Sequence, residues 1–229
     1  MPVSAPPRVL PALLGLPVLL FALITWQVVA DGPLVGVDER LSRALVHPDR
    51  FSELLSDLGN VQVAVPVLVV ALACAAWHGR ATGGDRWWLP PLAGALAMVL
   101  VPALVAPLKE WTDRPGTPAV PPASGYYPSG HTATAVVAYG AATLLLLGRL
   151  RAPAVRRGLV VLGALLVLGT SYGLVRRGYH WPLDVVASWC LGAVLLTGVR
   201  LVDRRTPWGV SRSTRRSSSG TPSSSSGPS

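Results

Sequence analysis

Six stretches of this 229-residue chain carry no charged side chain: residues 9–30, 58–77, 87–108, 132–148, 158–175 and 185–199. A helix needs about 20 apolar residues, within a range of roughly 17–25, to cross a bilayer. Five of the stretches fall in that range. The sixth, at 15 residues, reaches it only if Asp184 and Arg200 lean towards the two interfaces and extend it to about 183–202. Hydrophobic residues make up 51 % of the chain and charged ones 14 %, against about a quarter charged in soluble domains. That balance excludes a disordered or collagen-like chain and argues against a soluble enzyme. The sequence predicts an all-α integral membrane protein, a bundle of six transmembrane helices.

Three segments follow from the distribution of charge. Residues 1–54 hold the first span and most of an amphipathic outer connector, which continues to Asn60. Its acids Asp38, Glu39, Asp49, Glu53 and Asp57 and its arginines Arg40, Arg43 and Arg50 are interleaved with apolar residues. That pattern predicts two short helices lying at the membrane surface after the first span. Residues 55–202 hold spans two to six. Residues 203–229 form a basic tail in which ten of the last nineteen residues are serine. Such a composition cannot bury enough apolar surface to order itself, and its arginines are suited to anionic lipid headgroups.

With the N-terminus in the cytoplasm, Lys and Arg divide thirteen inside to seven outside, as the positive-inside rule requires. Both termini are then cytoplasmic, and the net charge of +9 reads as membrane orientation, with no nucleic-acid partner. Val28-Val29-Ala30 resembles a signal-cleavage site, but the apolar run before it exceeds the roughly 7–15 residues of a signal core, so an uncleaved span is expected. Cys74 and Cys190, inside apolar runs and without metal-ligand spacing, read as small buried hydrophobes. His47 and His78 read as surface residues.

Chemistry concentrates in three polar clusters. Lys109, Glu110, Asp113 and Arg114 follow the third span, Tyr126-Tyr127-Pro128-Ser129-Gly130-His131 opens the fourth, and Arg176, Arg177, His180 and Asp184 lie between the fifth and sixth. Alternating spans put all three clusters on one face, the outer one. Ser129 suits an N-cap, and Gly130 lets a ligand approach a helix start whose free N–H groups and dipole favour anions. His180 and Asp184, four apart, allow the carboxylate to hold one imidazole nitrogen and leave the other for a substrate. The same pair is also compatible with a metal site. Clustered cations favour phosphoryl transfer.

Lys109 to Pro115, Tyr126 to His131 and Gly178-Tyr179-His180-Trp181-Pro182-Leu183-Asp184 resemble the three signature motifs of the type 2 phosphatidic acid phosphatase superfamily, over roughly residues 55–200. The resemblance implies His180 as nucleophile forming a phosphohistidine, Asp184 orienting it, and His131 protonating the leaving oxygen. It also implies phosphate binding by Lys109, Ser129 and Gly130, with no metal and no cofactor. Two departures stand out. The first motif's Arg-Pro would fall on Gly116 and Thr117, and the third motif's Ser-Arg on Gly173 and Leu174. Arg114, Arg176 and Arg177 are nearby substitutes, and Arg177, about 60° around a helix from position 174, is better placed than Arg176 at about 160°.

The expected function is a membrane phosphatase acting on a lipid or prenyl (di)phosphate at the outer leaflet of a bacterial plasma membrane. The alternative is a catalytically weakened protein that binds lipid phosphate. A transporter is disfavoured, because no broken mid-membrane helix is evident.

Overall fold

Residues 9–205 are described in the computed structural model, and every regular element among them is an α-helix. In chain order these are α1 (Val9–Val29), α2 (Pro33–Leu45), α3 (Arg50–Asp57), α4 (Val61–Ala81), α5 (Leu89–Thr112), α6 (Gly130–Leu147), α7 (Pro153–Arg176) and α8 (Pro182–Arg205). Helices α4 to α8 are each long and apolar enough to cross a bilayer. Helix α1 has 21 residues, about 31 Å at 1.5 Å per residue, against a hydrocarbon thickness of about 30 Å. The chain then bends by 89° into α2, so α2 and α3 are the two short connector helices expected after the first span.

The weak sixth stretch becomes a helix of 24 residues, because Asp184 at its start is buried against partners rather than left in lipid. Helix α8 continues through Arg205, into the segment read as tail. The rest of that tail, with its expected lipid contacts, lies outside the described residues. One cysteine departs from expectation: Cys190 is buried but Cys74 is exposed, on the outward side of α4, where lipid rather than protein covers an apolar side chain.

Helix α6 is the centre, packed against α4, α5, α7 and α8. Its buried face is built from small residues, among them Ala133, Ala135, Ala138, Ala141 and Ala142. Without a hydrophobic driving force between helices in lipid, small side chains let backbones approach and dispersion do the work. Leu196 of α8 lies directly over Gly140, and Val136 over Gly192. The large apolar side chains of the surrounding helices, such as Val69, Val70, Leu96, Val99, Leu162 and Leu165, point outward. In water they would form an aggregating patch; in a bilayer they are the solvated surface.

At one end of the bundle the last turns of α5 and α7 meet the first turns of α6 and α8, with α2 and α3 beside them. Helix α3 lies so close on α7 that a Cβ on Gly173 would fall 2.5 Å from Ser56 N and 2.6 Å from Ser52 O. Helix α7 ends in a paired closure: Gly178 N donates to Val175 O and Tyr179 N to Leu174 O, both at 2.9 Å. Gly178 takes φ +72°, the left-handed turn that glycine adopts without steric cost. That turn brings the chain back towards His180.

Candidate active site

Asp184, in the first turn of α8, is fully buried and has a donor at each oxygen. Its Oδ2 accepts from His180 Nδ1 at 3.2 Å and from Trp181 N at 3.1 Å; its Oδ1 accepts from Arg114 Nη1 at 2.5 Å. A carboxylate suits a helix N-terminus, and here it also fixes the imidazole. With Nδ1–H pointed at Asp184, the neutral imidazole of His180 has its lone pair on Nε2.

The start of α6 is bolted to α8. Ser129 N donates to Asp184 O at 3.2 Å, and Ser188 Oγ donates within 2.8 Å of both Ser129 O and Asp184 O. Ser129 Oγ caps α6 by accepting from Thr132 N at 3.3 Å. The Gly130 and His131 N–H groups have no partner among the described residues, as expected for a first helical turn. His131 Nε2 lies 2.9 Å from Asn60 Oδ1, while Asn60 Nδ2 donates to Asp57 Oδ1 at 3.0 Å. Since Asp57 only accepts, the amide of Asn60 has one orientation, its oxygen faces the ring, and Nε2 of His131 bears a proton.

Lys109, in the last turn of α5, donates to Gly125 O at 2.7 Å, with its ammonium 5.9 Å from the Tyr126 ring centre. The Tyr126 ring meets the His180 imidazole edge-on at 5.8 Å. Lys109, Gly130, His131 and His180 line a single cavity of about 810 Å³. From this polar end an apolar arm follows α5 along Val105, Val101 and Met98. Lys109 to Met98 is about 16 Å of helix rise. Among the described residues no three His, Cys, Asp or Glu side chains gather as a metal site would need.

Three of the expected phosphate ligands stand elsewhere. Arg114 is buried and forks between Asp184 and Asp38, with Nη2 2.6 Å from Asp38 Oδ2, so its donors orient the acid rather than face the cavity. Ser129 is enclosed and its hydroxyl oxygen is occupied as a cap. Arg177 follows the last turn of α7 as expected, but its Nη2 donates to Tyr179 Oη at 3.0 Å and its Nη1 lies 3.8 Å from Glu53. Its neighbour Arg176 pairs with Asp49 at 2.8 Å. Docking of α3 on α7 puts both acids beside this helix end and draws the arginines away from the cavity. The Ser52 N–H, which Asp49 caps, and then the Arg176 guanidinium lower the Asp49 carboxyl to about 2.

Two residues of this end were not singled out from sequence. Asp38 bridges Arg114 and the Leu183 N–H, at 2.9 Å, so α2 caps α8. Its one signal is the short polar pair Asp38 and Ser42, one turn apart and both buried. Asn60 precedes α4 with nothing in its neighbours to mark a histidine partner 71 residues away.

The PAP2 superfamily sequence profile matches residues 95–208, a segment that includes all three polar clusters. Over 67 residues the chain is 42 % identical to an undecaprenyl-diphosphatase of Sulfolobus acidocaldarius, a match covering 29 % of this chain and 28 % of that relative. In fold it is similar to the crystal structure of a transmembrane PAP2 type phosphatidylglycerolphosphate phosphatase from Bacillus subtilis. That likeness has a TM-score of 0.66 at 23 % identity and covers 82 % of this chain and 96 % of the other.

Proposed function

This chain belongs to the PAP2 superfamily, and from that premise we propose a membrane phosphatase that hydrolyses a lipid or prenyl phosphate or diphosphate through a phosphohistidine on His180, without a metal ion. One observation carries the reading: His180, its far nitrogen held by a buried carboxylate, opens into the same cavity as His131 and Lys109.

Nε2 of His180 attacks phosphorus; the N–P bond forms as the P–O bond to the lipid breaks. The leaving oxygen takes a proton from the His131 imidazolium, which becomes neutral, and Asp184 stabilises the cationic phosphoimidazole. Water then gives a proton to His131 and attacks phosphorus, the P–N bond breaks, and inorganic phosphate leaves a neutral His180. The Lys109 ammonium and the free N–H groups of α6 face the charge that develops on the phosphoryl oxygens. The apolar arm along α5 supports a substrate whose tail stays in the bilayer. The charge distribution supports an outward-facing site with both termini cytoplasmic.

The weakened-binder alternative is favoured by a specific observation, that Lys109 is the one Lys or Arg among the cavity-lining residues. Phosphate release from a panel of lipid and prenyl phosphates, by purified protein in the presence of a chelator, separates the two. Turnover together with an acid-labile phosphoenzyme, both lost in His180→Ala, is the expected result. Binding without release identifies the binder, and activity that needs added zinc or magnesium overturns the metal-free mechanism.

A further inference from the structure

Helices α7 and α8 pack against α6 but scarcely against each other. The gap between them, at the end of the bundle away from the histidines, is a second cavity of about 540 Å³. Its walls are apolar, among them Val136 and Leu147 of α6, Val160 and Leu168 of α7, and Leu196 of α8. Val160 and Leu168 are exposed on the outer surface of the bundle, so the groove opens sideways to lipid. From Val136 to Leu147 it runs about 16 Å along α6, half of a hydrocarbon core about 30 Å thick. It is one leaflet deep.

The mouth of this groove is basic. Arg200 and Arg204 line it from one face of α8, a single turn apart. Neither makes an ion pair with a described residue. Arg156 adds a third cation at the same end of α6, where its Nη1 donates to Leu147 O at 2.9 Å and to Leu150 O at 3.3 Å. A planar guanidinium fork matches phosphate oxygens, and basic pockets between transmembrane helices take anionic lipid headgroups.

We propose that this groove is a binding site for an anionic phospholipid of the leaflet opposite the candidate active site. One acyl chain would lie along α6 between α7 and α8, with the phosphate held between Arg200 and Arg204. This lipid is not the substrate: from Leu147 to His131 is about 24 Å of helix, too far for its phosphate to reach either histidine. By filling the gap it adds to the few direct links between α7 and α8, among them the Trp189 Nε1–H donated to Ser171 Oγ at 3.0 Å.

The test is lipid retention by the full chain in neutral detergent, read by native mass spectrometry with phosphatidylglycerol and phosphatidylcholine of identical acyl chains. Two arginines at the headgroup give an expected preference for the anionic lipid on the order of 30-fold. R200Q/R204Q should bring that preference below about 3-fold. Ala164→Phe, which fills the groove wall without changing charge, should lower retention of phosphatidylglycerol as strongly. The bound anionic lipid should also raise the unfolding temperature of the wild type and not of either variant. Equal retention of the two lipids by the wild type overturns the proposal. So does an undiminished preference in R200Q/R204Q, which would assign the selectivity to the arginines beyond residue 204. Unchanged retention in Ala164→Phe would place the lipid outside the groove and overturn it as well.

Discussion

Arg114 donates to Asp184 at 2.5 Å across 70 residues of sequence, and the acid it holds is the one that orients His180. The position of the imidazole is therefore set from the third span and, through Asp38, from the connector. Removing one partner from a buried ion pair costs about 3–5 kcal/mol, because the other is left uncompensated. Asp38→Ala should lower thermal stability in detergent on that scale and reduce turnover, although Asp38 is not among the cavity-lining residues. A loss below about 1 kcal/mol, the worth of a surface pair, would show that the trio is open to water.

Lys109 and Arg177 should behave differently. Lys109 lines the cavity and Arg177 does not. Loss of a donor to the transition state costs about 10²–10³ in turnover, and that is the expectation for Lys109→Ala. Arg177→Ala should cost less than about tenfold, as befits a group that faces Glu53 and Tyr179. Phosphate-release rates at saturating substrate decide the matter, and a larger loss at Arg177 would mean that its side chain swings into the cavity when substrate binds.

A Cβ added at Gly130 would meet only Val105 Cγ1, at 3.9 Å, an ordinary contact. Gly130→Ala should therefore fold and melt like the wild type. The same methyl group stands at the cavity wall beside the helix N-terminus, where a displacement of about 1 Å can cost 10²-fold in rate. Unchanged kinetics in a normally folded Gly130→Ala would indicate that phosphate does not approach this turn.

Asn60 presents its oxygen to His131 because Asp57 takes its amide. Asn60→Leu should slow cleavage of substrates with poor leaving groups while sparing activated aryl phosphates, since only the former need a proton in the transition state. General acid catalysis is worth about 10²–10⁴, so a partial loss of roughly tenfold is measurable. Equal slowing of both substrate types would assign Asn60 a packing role.

Acid should loosen α3 only at low pH. The Asp49 carboxyl is held down at about 2 by the Ser52 N–H and then by Arg176. For an acid whose folded value is depressed, the stabilisation is full above its unfolded value near 3.9 and disappears as pH falls through the folded one. Protection of α3 amides, measured against the intrinsic exchange rate at each pH, should hold down to about pH 4 and fall towards pH 2. Asp49→Ala, which removes both the cap and the Arg176 partner, should show low protection at every pH.

The spans are legible in the sequence because lipid imposes a single, strong rule of apolar length, and five of the six stretches satisfy it without help. Alternation of the spans then brings Lys109, His131 and His180 to one end with no knowledge of side-chain contacts. The fate of the arginines is not legible. Arg114, Arg176 and Arg177 lie near the right place by chain position, but whether each meets phosphate or an acid depends on where α2 and α3 set down Asp38, Asp49 and Glu53. Those acids belong to an amphipathic connector whose pattern predicts a surface location without a partner. Asn60 is hidden for the same reason, as a contact between distant segments that no local periodicity encodes.

The backbone of α3 occupies the space that a side chain at position 173 would need, and Leu174 beside it is enclosed. Restoring at these positions the serine and arginine of the resembled third motif would therefore require α3 to move: the serine side chain would collide with Ser56 N and Ser52 O, and the arginine would bring an uncompensated charge into an enclosed position.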